Sequence, residues 1–488
     1  MDALFPWLLP VLYGGIGNLA AYLAAHVLLC LLPAFFIAGA MSALIPRQTV
    51  TRFLGRNSSK AVSYPAAVAA GSLLAVCSCT IVPLFAGIYK KGAGLGPAIT
   101  FLFFAPAANI LALVYTGGVL GADLALARFF LSMVFGVGIG LIMALLFRAD
   151  DEAHDQASDT LFAAAAGEGM QHVVLLFLGA WVALLLAGTL RVGALTGVYV
   201  HVALPLEAAR DWQATLDWLV PYDVAKGEEG VSLQGMVLIL LLPAIGVCAW
   251  QGLENIQEGV NGWTRATLTL TWATLLFAAL SVQPMDGGLR IGLTGKFFGV
   301  AACLAVIHFI AWRRLAAEAL QDWLWESWRF VKQIFPLLVL GVFLVGMMRV
   351  VIRPEWIEAV AGSNSVVGNL AGVAFGVFMY FPTLVEVPIA HMFLDLGMHR
   401  GPLLAYLMSD PELSLQSILI ISAIIGRAKT AAYVGLVALF SAVAGLTYGA
   451  WVDGVSQVLL AFGLAAFIGA LAVLIAVLSR RPHSLKGI

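Results

Sequence analysis

Apolar stretches long enough to cross a bilayer recur along most of the chain. They lie at about 7–22, 24–46, 97–117, 122–147, 172–190, 232–252, 264–283, 292–313, 330–352, 401–422, 431–449 and 455–478. A helix that satisfies its own backbone hydrogen bonds is the structure such a segment can adopt in lipid, and about 20 residues span the hydrocarbon. The chain therefore reads as an all-α polytopic membrane protein with about twelve transmembrane helices. Composition agrees: with 61% hydrophobic and 11% charged residues and a mean hydropathy of +0.97, the polar residues cannot cover a soluble globule. The lipid bilayer is its first partner. A net charge of -1 and the lack of a long basic block point to no nucleic acid. Met1-Asp2-Ala3-Leu4 has no positive n-region, so the first apolar stretch is expected to be retained as a span.

Shifted by 305 positions, the sequence lies on itself. Gly71 meets Gly376, Pro83 meets Pro388, Gly92 meets Gly397, Gly96-Pro97 meets Gly401-Pro402, Pro106 meets Pro411, Gly121 meets Gly426 and Gly140-Leu141 meets Gly445-Leu446. Two residues out of that register, Gly55-Arg56-Asn57-Ser58 mirrors Gly362-Ser363-Asn364-Ser365. A duplicated apolar unit interrupted by Gly and Pro is the sequence form of a transporter fold built from repeats.

Charge orients the copies. Residues 47–60 carry Arg47, Arg52, Arg56 and Lys60 with no acid, which places them in the cytoplasm, and Lys90-Lys91 reads as the same kind of anchor. The matching segment of the second copy sets Arg353 against Glu355 and Glu358, and its span is preceded by Arg313, Arg314, Arg329 and Lys332. The copies are therefore expected to be inverted. Segments 61–89 and 366–394 are each too short for two spans, and each reads as a broken or re-entrant hairpin turning near the midplane. The chain divides into an extra span (1–23), repeat one (24–147), a flexible acidic linker (148–171), a four-span insert (172–329), repeat two (330–449) and a final span with a basic tail (450–488). Within the insert, 191–231 reads as an outer loop, and 313–332 reads as an interfacial amphipathic helix.

Irregular backbone at membrane depth is tolerated only where protein or a polar cavity satisfies it, so paired breaks point to a binding site. The first break offers Cys77, Ser78, Cys79 and Thr80 before Pro83; the second offers Thr383, Glu386 and, five residues on, His391. If the hairpins meet, Cys77, Cys79, Glu386 and His391 form a set suited to a thiophilic metal ion or metalloid, since thiolates select soft centres. Each has a plainer alternative: the cysteines as small buried hydrophobes, Glu386 as a hydrogen-bond acceptor for unwound backbone, His391 as a packing residue. An intramembrane carboxylate is costly and marks function by default. Asp410 and Glu412 bracket Pro411 and either line the same cavity or cap a helix end. The first copy has Ala105, Pro106 and Ala107 in that place, with Asn109 two residues after. Substrate contacts are thus expected from Cys77, Cys79, Thr80, Asn109, Thr383, Glu386 and His391, and proton coupling from Glu386, His391, Asp410 and Glu412. Lys429 is either a cytoplasmic anchor or a counter-ion for Glu412.

Five cysteines are too few for a disulfide scaffold, and Cys30, Cys248 and Cys303 lie singly in apolar helices. No phosphate-binding loop motif is present. One-residue spacing of Cys77 and Cys79 strains an intrachain bridge, which argues against a thiol-disulfide enzyme. A secondary efflux transporter is the leading expectation, with no enzymatic activity and no cofactor; a channel or an uptake permease is the alternative. A homo-oligomer is compatible with the sequence.

Cys77-Ser78-Cys79-Thr80-Ile81-Val82-Pro83-Leu84, Gly92-Ala93-Gly94-Leu95-Gly96-Pro97-Ala98 and Ala105-Pro106-Ala107-Ala108-Asn109 together resemble the predicted-permease family that includes the organoarsenical efflux permease ArsP and the YraQ-type permeases. The likeness covers about 24–147 and 330–449. It implies a multi-pass permease of the cell inner membrane that exports thiophilic compounds, with cysteines near the first break handling substrate. The second copy departs from the pattern: Thr383-Leu384-Val385-Glu386-Val387-Pro388 stands where small residues are expected, and four spans separate the copies. The carboxylate and histidine there strengthen the case for a metal cation.

Overall fold

The computed structural model describes residues 5–25, 27–45, 47–73, 78–162, 172–190, 192–220, 222, 230–285, 287–351, 355–378 and 383–479. The first repeat region contains α1 (Phe5–Ala25), a π-helical turn (Val27–Leu31), α2 (Leu32–Leu44), α3 (Arg47–Leu54), α4 (Lys60–Leu73), α5 (Ser78–Lys90), α6 (Leu95–Ala107), α7 (Ile110–Val119), α8 (Ala122–Leu146) and α9 (Arg148–Phe162). The insert contains α10 (His172–Thr189), α11 (Gly193–Thr196), β1 (Val198–Leu204), α12 (Ala209–Leu219), α13 (Leu233–Leu253), α14 (Gly262–Ala278), β2 (Ser281–Met285), β3 (Gly288–Thr294) and α15 (Gly295–Arg313). Then follow α16 (Ala317–Val351), α17 (Glu355–Ala361), α18 (Val366–Phe378), α19 (Thr383–Asp395), α20 (Arg400–Leu413), α21 (Leu415–Ile425), α22 (Arg427–Val452) and α23 (Gln457–Ser479).

The chain is an all-α polytopic membrane protein with one small sheet. Among the described residues seven helices are long and apolar enough to cross a membrane, or up to nine if each of two bent pairs is one span. Shorter apolar helices, Ile81–Lys90, Val366–Phe378 and Gln457–Val473, accompany them. The duplication is visible helix by helix: α4, α5, α6, α7 and α8 fall on α18, α19, α20, α21 and α22 at the offset of 305. The turns repeat too, since Gly92 and Gly397 have φ of 89° and 88°, and Gly121 and Gly426 have 111° and 88°, values that L side chains rarely adopt.

Three segments differ from the sequence reading. The acidic stretch expected to be a flexible linker is helical over Arg148–Phe162. The interfacial helix expected at 313–332 is continuous with the following span in α16, because no residue between them interrupts the ladder and Pro336 lies inside the helix. The insert also carries an antiparallel sheet, order β1-β3-β2, where an outer loop and the facing ends of the spans 264–283 and 292–313 were expected. At the two expected breaks, α5 starts at Ser78 and α19 at Thr383, so Pro83 lies within its helix; residues 74–77 and 379–382 lie outside the described residues.

Two compact units are formed. One comprises Met1–Thr49, Ala75–Ile88 and Ala165–Val351. There α1 approaches α16 through small residues; a side chain at Gly14 would meet the Gly346 carbonyl oxygen at 3.0 Å, the close backbone packing that Gly permits between membrane helices. An aromatic cluster of Phe36, Phe177, Trp181 and Trp323 fills the centre, with Trp323 Nε1 donating to the Phe36 carbonyl at 2.9 Å.

The other unit comprises Val50–Leu74, Tyr89–Ala164 and Ile352–Ile488, and it contains most of both repeats. In it α6 packs on α4 and α8, as α20 packs on α18 and α22. The equivalent helices α8 and α22 run antiparallel. Tyr448, near the end of α22, donates to Asp123 Oδ2 at the start of α8 (2.8 Å), while Lys429 at the start of α22 pairs with Asp150 just past the end of α8 (3.4 Å).

Candidate functional site

The centre of this second unit is ionic. Arg128, on α8, is wholly buried, and its guanidinium has three partners. Nε donates to the Ala107 carbonyl (2.7 Å), Nη1 donates to Thr116 Oγ1 (3.1 Å), and Nη2 lies 2.7 Å from Glu386 Oε1. Local chain chemistry sets this up. Asn109 caps α7 by accepting from the Ala112 amide (2.9 Å), which ends α6 and turns the orphan carbonyl of its last residue, Ala107, towards the guanidinium. Thr116 hands its own hydroxyl hydrogen to the Ala112 carbonyl (2.7 Å), leaving its oxygen to accept from Arg128.

Glu386 sits on α19, which packs against α7 and α20, and has no exposed surface. Glu412, at the end of α20 and 2% exposed, lies within electrostatic reach of both Glu386 and Arg128. Its Oε2 accepts from the hydroxyl of fully buried Tyr433 on α22 at 2.8 Å. The repeat explains this pairing. Tyr433 is the register mate of Arg128, and Glu412 that of Ala107, so the same two positions touch in both copies through different chemistry. Glu412 Oε1 and both amide atoms of buried Gln416 have no hydrogen-bond partner among the described residues. Buried polar atoms of that kind call for a bound proton, water or solute.

The structure brings Glu386 and Glu412 together and buries Asp410 on the same helix as Glu412. It does not bring His391 to them. Five residues along a helix turn the side chain about 140° away, and His391 is half exposed with Nδ1 3.1 Å from Asp395 Oδ2. Of the expected metal set, His391 is thus separated from Glu386, whose counter-ion is Arg128; among the described residues no three His, Cys, Asp or Glu side chains converge. Asn109 is engaged as a cap, its Nδ2 donating to the Ala105 carbonyl at 3.1 Å. Lys429 pairs with Asp150 and not with Glu412. Cys77 lies outside the described residues, as do the side chains of Cys79, Thr80 and Thr383.

Arg128 is the buried charge of this cluster that sequence reasoning missed. Its signal was available, because an arginine inside the apolar stretch 122–147 is as costly as a carboxylate and needs a partner.

Charged groups also close the two ends of α8. At its start, Arg400 Nη2 lies 3.0 Å from Asp123 Oδ2 and donates to the Leu120 carbonyl at 3.1 Å. Beyond its end, Asp151 accepts from the Leu95 amide at 2.9 Å and faces Arg56 at 3.8 Å, while Arg56 also holds Glu152. Burial pushes the Asp151 carboxyl above the ordinary aspartate range despite those contacts, and Arg56 pulls exposed Glu152 below its own.

Residues 13–450 match the family described as predicted permease. The UPF0718 protein MJ0584 of Methanocaldococcus jannaschii is 32% identical over 434 residues, which is 89% of this chain and 94% of that protein. The UPF0718 protein YraQ of Escherichia coli K12 is 32% identical over 94 residues, covering 19% of this chain and 27% of that one. No solved structure matches.

Proposed function

This chain belongs to the predicted-permease family matched over residues 13–450, and from that premise we propose that it is a proton-coupled secondary transporter exporting a thiophilic metalloid or soft-metal species across the cell inner membrane. The observation that carries the coupling is the charge count of the buried cluster. Two carboxylates, Glu386 and Glu412, face one guanidinium, Arg128. An uncompensated charge away from water is expensive, so the cluster is neutral when it holds one proton between the two acids. Such a pair exchanges its proton as a unit. Protonation of Glu386 would weaken its hold on Arg128, which fastens α19 of the second copy to α8 of the first, and gives a bistable element that a proton gradient can drive.

The substrate class rests on Cys77 and Cys79, a thiol pair one residue apart at the first break. Since Glu386 is already neutralised by Arg128, it offers little to a free cation, and a neutral trivalent arsenical fits better than a divalent metal ion. The test is transport of arsenite, methylarsenite, Zn(II) and Cd(II) in proteoliposomes under an imposed pH gradient. The reading expects arsenical movement that needs the gradient and is lost in the Cys77→Ser/Cys79→Ser and Glu386→Gln variants. Movement of every solute without saturation or gradient dependence would make the protein a channel and overturn it.

A further inference from the structure

Beside the end of α8, the loop 55–60, the start of α6 and the end of α8 enclose a cavity of about 310 Å³. Three cations line it or its mouth: Arg56, Lys60 and Arg148. Two carboxylates oppose them. Asp151 is engaged by the Leu95 amide and Arg56, and Glu152 is shared between Arg56 and Arg148, the latter at 3.4 Å. Lys60 has no carboxylate partner among the described residues, and it stands at the first position of α4, whose amino terminus adds a partial positive charge. The loop is held in place by Ser58, whose hydroxyl lies 2.7 Å from the Thr51 carbonyl. Leu141 and Leu145 give the cavity an apolar wall, and the same face of α8 carries exposed Val134, Phe130 and Leu126 further from the cations, as an apolar strip along the helix.

The second copy shows what the same place looks like without this function. In the register of the loop Arg56 becomes Ser363, and at the offset of 305 Lys60 and Arg148 become Ser365 and Asp453. The space is occupied by Asn364, which donates to the Leu446 carbonyl at 3.2 Å and accepts from Asn369 at 2.9 Å. The three cations thus belong to the first copy.

We propose that this cavity binds the phosphate of an anionic phospholipid. Cations on a rim at the membrane surface supply the headgroup contact, and the leucine wall running into an exposed apolar strip supplies the path for an acyl chain, which a free phosphate would leave unused. The experiment is native mass spectrometry of the full-length protein titrated with phosphatidylglycerol, phosphatidylcholine or inorganic phosphate. Wild type and the Asp453→Ala control should hold phosphatidylglycerol equally and in preference to phosphatidylcholine. The Lys60→Ala/Arg148→Ala variant, whose changes fall on exposed side chains, should lose about tenfold or more in phosphatidylglycerol affinity, each cation near a membrane surface being worth roughly that factor or somewhat less. The single Lys60→Gln variant should show a smaller loss in the same direction, which keeps the test valid if the double variant folds poorly. Equal phosphatidylglycerol affinity in wild type and Lys60→Gln, or displacement of the lipid by millimolar inorganic phosphate, would overturn the proposal.

Discussion

The two copies share a backbone and divide the charges. α4 to α8 and α18 to α22 have matching bounds, and their turn glycines share positive φ, so the scaffold is one plan used twice. The side chains at equivalent positions are unlike. Arg128 stands against Tyr433, Ala107 against Glu412 and Ile81 against Glu386, and the cationic cavity of one copy is packed with asparagine in the other. A symmetric site would set like charges against each other in a buried place. Placing the cation in one half and the acids in the other lets the halves neutralise each other where α8, α19, α20 and α22 converge. The lesson is that backbone symmetry positions the site while side-chain asymmetry gives it chemistry.

The largest difference between the copies is expected at Arg128. Replacing it by Met leaves Glu386 buried without its partner and should destabilise the protein by roughly 3–5 kcal/mol, whereas Tyr433→Phe, at the same register, should cost about 1 kcal/mol for one hydrogen bond. Reversible unfolding in mixed micelles measures both, and equal losses would mean that the asymmetry carries no energetic weight. A smaller contrast lies at the glycines. Gly426→Ala meets open space, so the strain of a positive φ alone should cost about 1 kcal/mol. Gly121→Ala adds a contact with Asp123 Oδ1 at 2.6 Å and should cost more, together with the Arg400 pair; equal melting temperatures for the two variants would contradict this.

The smallest expected effect concerns pH. Because the folded-state value of Asp151 is raised, the folded protein binds this proton more readily than the unfolded chain, and the Asp151 contribution falls as pH rises from the ordinary aspartate range towards the raised value. Asp151→Asn should remove that slope, and its stability curve should differ from wild type in slope across this window and run parallel above it. A wild-type curve with the same acid slope as the variant would show that Asp151 is not the group responsible.

The repeat was legible because Gly and Pro mark turns whatever surrounds them, and the offset of 305 carried over to five helix pairs. Glu386 and Glu412 were legible as charges in apolar segments, and both are buried in the cluster. Arg128 was not read, since hydropathy averaged over a long span hides one cation. His391 was misassigned because sequence proximity was taken for shared direction, and helical phase separates it from Glu386. The helical form of 148–162 escaped because an acidic, mobile-looking composition says nothing of Asp151, which caps the start of α6 from the neighbouring helix.

Arg128 of one copy and Glu386 of the other hold the two copies together as a buried pair. A double-mutant cycle with Arg128→Met and Glu386→Met, read as unfolding free energy in mixed micelles, tests it without knowledge of the substrate. The pair predicts that each single change is strongly destabilising while the double change recovers much of the loss, a coupling of about 3 kcal/mol. Single effects that add to within about 0.5 kcal/mol would contradict it.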